Sequence, residues 1–283
     1  VITLLIASCS IQKNDTVELV LDTKSELGEG AIWNHKTNEL IWVNIDREIL
    51  NFYKPELRNN KEMLTGQKIG TVVPAKSGQV LETDIEGNRF NDGKCDPGGR
   101  FWAGTMSKNG EKGAGALYRL DPDSSVHKMI DNVTISNGIV WSNDKRFMYY
   151  IDTPTRNVVR YDYDNESGNI SNPEVAIEIS GNEGAPDGMT IDEDGNLWIA
   201  LWGGSAVGCW NPESGKLLRK IDVPAKNVTS CAFGDDDLET LYITTARVGT
   251  NKEELVQFPE AGGLFKTTPG VKGVEASFFN DLY

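Results

Sequence analysis

One pattern recurs five times along the chain: a short apolar run, a turn rich in Asp, Asn and Gly, and a second apolar run. The copies pair Ala31-Ile32-Trp33 with Leu40-Ile41-Trp42-Val43, Gly93-Lys94-Cys95 with Phe101-Trp102-Ala103, and Ile139-Val140-Trp141 with Phe147-Met148-Tyr149-Tyr150. The last two pair Met189-Thr190-Ile191 with Leu197-Trp198-Ile199-Ala200, and Cys231-Ala232-Phe233 with Leu241-Tyr242-Ile243-Thr244. Each copy predicts two β-strands around a tight turn. No segment carries a long 3.6-residue periodicity, so helices are not expected to dominate. Counted from the first apolar residue of each second strand, successive copies lie 61, 46, 50 and 44 residues apart. The last three intervals match the roughly 40–50 residues of a four-stranded propeller blade. Residues 115–120 and 157–162 alternate apolar and polar, as outer blade strands should.

The expected fold is therefore all-β, a six-bladed β-propeller. The first interval is too long for one blade and too short for two. Gly70-Thr71-Val72-Val73-Pro74 and Ser77-Gly78-Gln79-Val80 look like the opening of another hairpin, yet Leu81 to Asn88 run straight into the next copy. One blade, about residues 70–90, is expected to be incomplete. The acidic turns, such as Asp192-Glu193-Asp194-Gly195, do not have the spacing of twelve-residue calcium loops and read as turn chemistry.

Charge narrows the partners. Lys and Arg total 28 against 42 Asp and Glu in 283 residues, a net charge of −14. Nucleic acid and anionic membrane surfaces are excluded as partners, since phosphate neutralisation needs a basic face. The only histidines are His35 and His127, which leaves no multi-His zinc site and little room for a His-centred triad. The first residues, Val1-Ile2-Thr3-Leu4-Leu5-Ile6-Ala7-Ser8-Cys9, resemble the end of a signal peptide, with Ile6 to Cys9 resembling a lipobox. The expected organisation is a leader and linker over 1–16 and a single propeller over 17–283. Export to the periplasm or a lipid anchor at Cys9 follows, with a cytoplasmic location as the alternative. No transmembrane span is expected. Cys95, Cys209 and Cys231 form no C-x-x-C pair and read as small buried residues.

Four segments place a polar residue beside Gly where a hairpin begins: Glu26-Leu27-Gly28-Glu29-Gly30, Asn88-Arg89-Phe90-Asn91-Asp92-Gly93, Ile135-Ser136-Asn137-Gly138 and Ala185-Pro186-Asp187-Gly188. A propeller brings the starts of its innermost strands together at one end of the central channel. One polar side chain per blade then converges there: Glu29, Asn91, Asn137 and Asp187. Oxygen donors of this kind suit a hard cation such as calcium, magnesium or manganese. A lone Asn-Gly or Asp-Gly is an ordinary turn signal, but four at one place in a repeat point to a site. Asp92 and Asp152 are secondary candidates whose plainer reading is capping. The seven tryptophans read as core between blades, Trp202 alone being a candidate contact at the channel mouth.

These segments resemble the regucalcin and gluconolactonase family of six-bladed propellers. The resemblance is carried by Leu27-Gly28-Glu29-Gly30, the block from Asn88 to Met106, Ile135-Ser136-Asn137-Gly138, Tyr149 to Thr153, Pro186-Asp187-Gly188-Met189 and Ala261 to Phe265. It runs from about Val17 to the C-terminus. It implies one divalent metal (calcium, zinc, magnesium or manganese) held by Glu29, Asn137 and Asp187. It further implies substrate contacts from Arg89 and Asn91, and hydrolysis of a sugar lactone such as gluconolactone to the aldonic acid. For that chemistry Asp187 is the candidate to accept a proton from the attacking water. The alternative is a calcium-binding regulatory propeller with little turnover. A small-molecule lactone is the expected partner, and the oligomeric state a monomer or weak dimer. Family members often carry an acidic residue after Gly-Thr-Met, where this chain has Ser107-Lys108-Asn109.

Overall fold

The computed structural model describes residues 15–73 and 87–281. The described residues form five four-stranded antiparallel sheets. The first blade comprises Gly28–Asn34, Glu39–Asn44, Ile49–Lys54 and Asn59–Leu64. The second comprises Asn88–Cys95, Phe101–Ser107, Gly115–Leu120 and Val126–Val133. The third comprises Ser136–Trp141, Phe147–Asp152, Asn157–Tyr163 and Ile170–Glu178. The fourth comprises Ala185–Ile191, Leu197–Trp202, Ala206–Asn211 and Lys216–Asp222. The fifth is built from both ends of the described chain. Asn227–Gly234, Thr240–Ala246 and Leu264–Thr267 supply three strands, and Glu18–Leu21 adds the outermost, with Glu18 opposite Lys266. Sharing a sheet between the two ends closes the ring and gives the N-terminal strand its backbone partners.

All five hairpins expected from the sequence are present as the first and second strands of the blades. The strands are apolar on both faces because each inner sheet packs against a blade on either side. Aromatic side chains bridge those interfaces: Trp33 stacks on Tyr242 of the fifth blade at 6.0 Å, Trp102 meets Trp141 edge-on at 5.7 Å, and Trp198 meets Phe233 at 5.8 Å. Six of the seven tryptophans are buried, and Trp202 is partly exposed.

The turn aspartates hold these aromatics rather than calcium. Asp96 is fully buried and accepts hydrogen bonds from the Arg100 amide at 2.8 Å, the Arg100 guanidinium at 3.1 Å and the Trp102 indole at 2.9 Å. Asp192 repeats the device with the Asn196 amide at 2.8 Å and the Trp198 indole at 2.9 Å. A turn carboxylate thus caps its own turn and satisfies the indole that the next strand buries.

The blade count corrects the sequence reading: there are five blades among the described residues, not six with one incomplete over 70–90. Two observations account for the error. Asn88–Cys95, part of which had been given to the incomplete blade, is the innermost strand of a full blade. Residues 65–73 contain no strand, although their apolar residues suggested one. Ile69, Val72 and Val73 are instead buried among Val43 and Leu50 of the first blade and Phe90 and Phe101 of the second. The run lies so close to the second blade that a Cβ on Gly70 would stand 1.7 Å from the Phe90 carbonyl oxygen, and the Thr71 hydroxyl donates to the Gly93 carbonyl at 3.2 Å. It fills the wedge between two blades and is not a strand of either sheet. Residues 74–86, where the missing strands were expected, lie outside the described residues, as does most of the expected leader, including Cys9. No described helix is long and apolar enough to cross a membrane. Cys95, Cys209 and Cys231 are buried and unpaired.

Candidate metal centre

Each inner strand slips register where its candidate residue sits. The irregularities fall between Glu29 and Ile32, Phe90 and Asp92, Asn137 and Ile139, Pro186 and Met189, and Val228 and Ser230. A bulge re-aims a side chain that regular pairing would hold in the sheet. Glu29, Asn91, Asn137 and Asp187 are all buried at these positions. The glycines that follow are needed for close approach: a Cβ on Gly138 would meet the Asp187 carbonyl oxygen at 2.8 Å, and one on Gly188 would meet the Ser230 hydroxyl at 2.7 Å. The Asn-Gly and Asp-Gly pairs are therefore not turns here; they let neighbouring blades crowd the axis. The fifth blade departs from the pattern with Thr229-Ser230. The Thr229 hydroxyl donates to the Gly28 carbonyl at 2.5 Å and pairs with Thr244 at 2.9 Å, so it is spent on neighbours.

A chain of hydrogen bonds crosses three blades. The Arg89 guanidinium donates to Asn91 Oδ1 at 2.6 Å. Asn91 Nδ2 donates to the Ser136 carbonyl at 2.8 Å and to Asn137 Oδ1 at 3.1 Å. Asn137 Nδ2 donates to Thr153 Oγ1 at 2.7 Å, and that hydroxyl donates to the Pro186 carbonyl at 2.8 Å, next to Asp187. Every amide orientation in the chain follows from its neighbours, because each nitrogen meets only acceptors. Asn137 keeps its oxygen as the remaining donor atom for a cation, and Thr153 fixes it there.

The carboxylates are under electrostatic pressure. Burial, then the Asp92 carboxylate, pushes Glu29 up to about 8, against the opposing pull of Arg89 and the Gly30 amide. Burial, Glu29 and Asp92 push Asp187 well above the ordinary carboxylate range, despite its hydrogen bond from the Gly188 amide and the pull of Arg89. Asp92 is raised by burial and eased by Lys94 and the Gly93 amide, which donates to it at 2.7 Å. Burial lowers Arg89, while Glu29, Asp46 and Asp187 hold its proton. Asp187 Oδ1 is buried without a hydrogen-bond partner. Three mutually repelling carboxylates, one with an unpartnered oxygen, are what a hard cation would relieve. Among the described residues no three His, Cys, Asp or Glu side chains group closely enough to hold an ion by themselves. A three-oxygen donor set of Glu29, Asn137 and Asp187 would need the Asn137 amide oxygen beside the two carboxylates. The residues present fit a divalent oxygen-loving cation.

Of the secondary candidates, Asp92 belongs to this cluster, whereas Asp152 accepts from the Thr134 and Ile135 amides at 3.1 and 2.9 Å and caps the strand entry. Two residues had no role in the sequence reading. One is Thr153, whose contacts span two blades and leave no local signature. The other is Lys94, whose ammonium reaches from the second blade to the Met189 carbonyl of the fourth at 2.8 Å. The adjacency Asp92-Gly93-Lys94 was the available signal for Lys94.

The sequence profile of the SMP-30/gluconolactonase/LRE-like region matches residues 27–247, a span that contains all of these side chains. The chain belongs to that family. Among its relatives, a Bacillus subtilis (strain 168) protein named for a sugar lactone lactonase, YvrE, is 42% identical over 270 residues, covering 87% of this chain and 92% of the relative. Regucalcin of Danio rerio is 39% identical over 283 residues, covering 91% of this chain and 96% of the relative. Among solved structures, a luciferin-regenerating enzyme superimposes with a TM-score of 0.87 at 30% identity, covering 94% of this chain and all of the other. A calcium-binding protein, regucalcin of Agrobacterium tumefaciens strain C58, superimposes with a TM-score of 0.88 at 26% identity, covering 94% and 98%.

Proposed function

We propose that this family member hydrolyses a lactone, using a divalent cation held by Glu29, Asn137 and Asp187. The observation that carries the proposal is Asp187 Oδ1, buried and unpartnered in a cluster of carboxylates beside the Arg89–Asn91 pair. A bound divalent cation supplies Lewis acidity toward an ester carbonyl and favours the tetrahedral oxyanion of acyl transfer.

The chain's own residues supply the rest. Arg89 offers a planar fork of N–H donors to the hydroxyls and ring oxygen of a sugar-like substrate. Asn91 fixes that fork by accepting one of its bonds and, through Asn137, ties substrate binding to the cation site. Asp187 accepts the proton of the attacking water. The ring-opened carboxylate leaves with the proton returned to the alkoxide oxygen. No Ser–His or Cys–His pair is required, and the three described cysteines are buried. The Bacillus subtilis relative named for a sugar lactone lactonase supports a lactone substrate. The tripeptide Ser107-Lys108-Asn109 leaves the sugar unspecified.

The test is a panel of δ- and γ-lactones assayed after chelation and after re-addition of calcium, magnesium, manganese or zinc, with wild type and Asp187→Ala. Turnover that depends on cation and is lost in Asp187→Ala supports the proposal. Turnover by Asp187→Ala at the wild-type rate refutes it. Cation uptake with no turnover on any lactone would favour the calcium-binding regulatory reading instead.

A further inference from the structure

A cavity of about 360 Å³ lies at the other end of the channel from the candidate metal centre. The metal-site residues occupy the starts of the inner strands; the cavity is lined by their ends. Trp33, Trp141, Ile191 and Phe233 form apolar walls from four blades, and Lys94 of the remaining blade also lines it. The C-terminal segment crosses this end as a strap. Its Gly273 amide donates to the Leu238 carbonyl at 2.9 Å, the Glu193 amide donates to its Lys272 carbonyl at 2.8 Å, and its Asn280 amide donates to the Gly99 carbonyl at 2.8 Å. The strap leaves Val274 and Glu275 exposed among the lining residues, with the Glu275 carboxylate 4.0 Å from His35 Nε2.

Two lining side chains, Lys94 and Trp141, hold N–H donors to spare. Lys94 has three N–H donors and no acceptor; the Met189 carbonyl takes one of them, and the nearby Asp92 carboxylate supports its charge from the channel side. The Trp141 indole N–H is buried without a partner, and an indole can only donate. A ligand for these walls must therefore bring acceptors to Lys94 and an apolar body to the aromatic residues. Charge-assisted bonds to an ammonium are roughly twice as strong as neutral ones, which selects an anion. The volume is near the low end of the range for small-molecule sites, about 300–1,000 Å³.

We propose that the cavity is a second binding site, separate from the metal centre, for a small organic carboxylate with an apolar body, the carboxylate meeting Lys94. The inference stands apart from the proposed lactone chemistry and does not need it.

Titration calorimetry with octanoate, and with 1-octanol as the uncharged counterpart, tests it on the full chain. Octanoate is expected to bind at least tenfold more tightly than octanol. Lys94→Met is expected to bring octanoate down to the octanol level while leaving octanol binding in place. Val274→Asp, on the exposed rim and without effect on the core, is expected to weaken octanoate severalfold and leave octanol unchanged. Asp187→Ala is expected to bind octanoate as wild type does, which separates this site from the metal centre. Absence of octanoate binding at millimolar concentration, equal affinity for octanoate and octanol, or undiminished octanoate binding in Val274→Asp would each overturn the proposal. The Val274 result decides the matter even if Lys94→Met fails to fold.

Discussion

Replacing Glu29 with Gln should change how the cation-free protein responds to pH. In the folded chain burial and the Asp92 carboxylate hold Glu29 protonated up to about pH 8, against an ordinary value of 4.5. Between those values the folded state binds more protons at this site than the unfolded state. Stability contributed by the site is therefore complete below pH 4.5 and is lost as pH rises toward 8. A displacement of this size corresponds to a ceiling of about 5 kcal/mol, at roughly 1.4 kcal/mol per pH unit. Relaxation and water entry should bring the observed change to about half of that. Asp187 is displaced in the same direction and adds to the slope. The carboxylates displaced downward, Asp123, Asp144, Asp164 and Glu254, titrate in the acid range and do not contribute above pH 5.5.

The assay is urea unfolding in chelator at pH 5.5, 6.5, 7.5 and 8.5, for wild type and Glu29→Gln, with the slope m compared to confirm the same transition. Wild type should lose about 2–3 kcal/mol across the range. Glu29→Gln has no proton to lose, so it should lose less, match wild type within about 1 kcal/mol at pH 5.5, and exceed it at pH 8.5. Saturating divalent cation should flatten or reverse the wild-type slope, because binding requires the ionised carboxylates. A cation-free wild type whose stability is constant or rising from pH 5.5 to 8.5 would refute the electrostatic account of the site. Equal slopes in the two proteins would refute the place given to Glu29.

Thr153→Val removes the acceptor that fixes the Asn137 amide, and should weaken calcium binding, read by titration calorimetry, by about 10–100-fold. Thr153→Ser should restore it. Arg89→Lys keeps the charge but loses the planar fork, and should raise KM for a responsive lactone more than it lowers kcat. Asp96→Ala leaves the Trp102 indole and the Arg100 guanidinium without their buried partner, and should cost about 3–5 kcal/mol in urea unfolding at constant m.

The hairpins were legible because their signal is local. An apolar run, an Asp- or Gly-bearing turn and a second run lie within twenty residues, and Asp96 and Asp192 show why the turn residue is acidic: it serves the indole six positions on. The blade count was not legible, because a blade is defined by which strand edges pair. Ile69, Val72 and Val73 have the composition of a strand, and Thr71 and Gly70 seemed to open one. Their burial is achieved as a wedge between two finished sheets, with Gly70 pressed against the Phe90 carbonyl. The sequence of such a segment records that it is buried and not what it pairs with. The alignment with Danio rerio regucalcin spans 283 positions yet uses 91% of this chain, so the relative has residues with no counterpart here.

The site divides along the same line. Glu29, Asn137 and Asp187 stood out because a polar residue followed by Gly recurs at one point of a repeat. The structure gives that recurrence a cause: the bulge re-aims the polar side chain, and the missing Cβ lets the next blade approach. Where the cause is absent, so is the signal. The fifth blade has Ser230 where the first, third and fourth have Gly; Ser230 fills the space beside Gly188, and Thr229 turns its hydroxyl to the Gly28 carbonyl. Four of the five inner strands therefore carry a residue of the repeated polar set, and the fifth blade closes the ring with a hydroxyl already spent on its neighbours. Thr153 and Lys94 act across blades, on Asn137 and on the Met189 carbonyl. Their roles depend on which blades face one another across the channel, and no spacing along the chain encodes that.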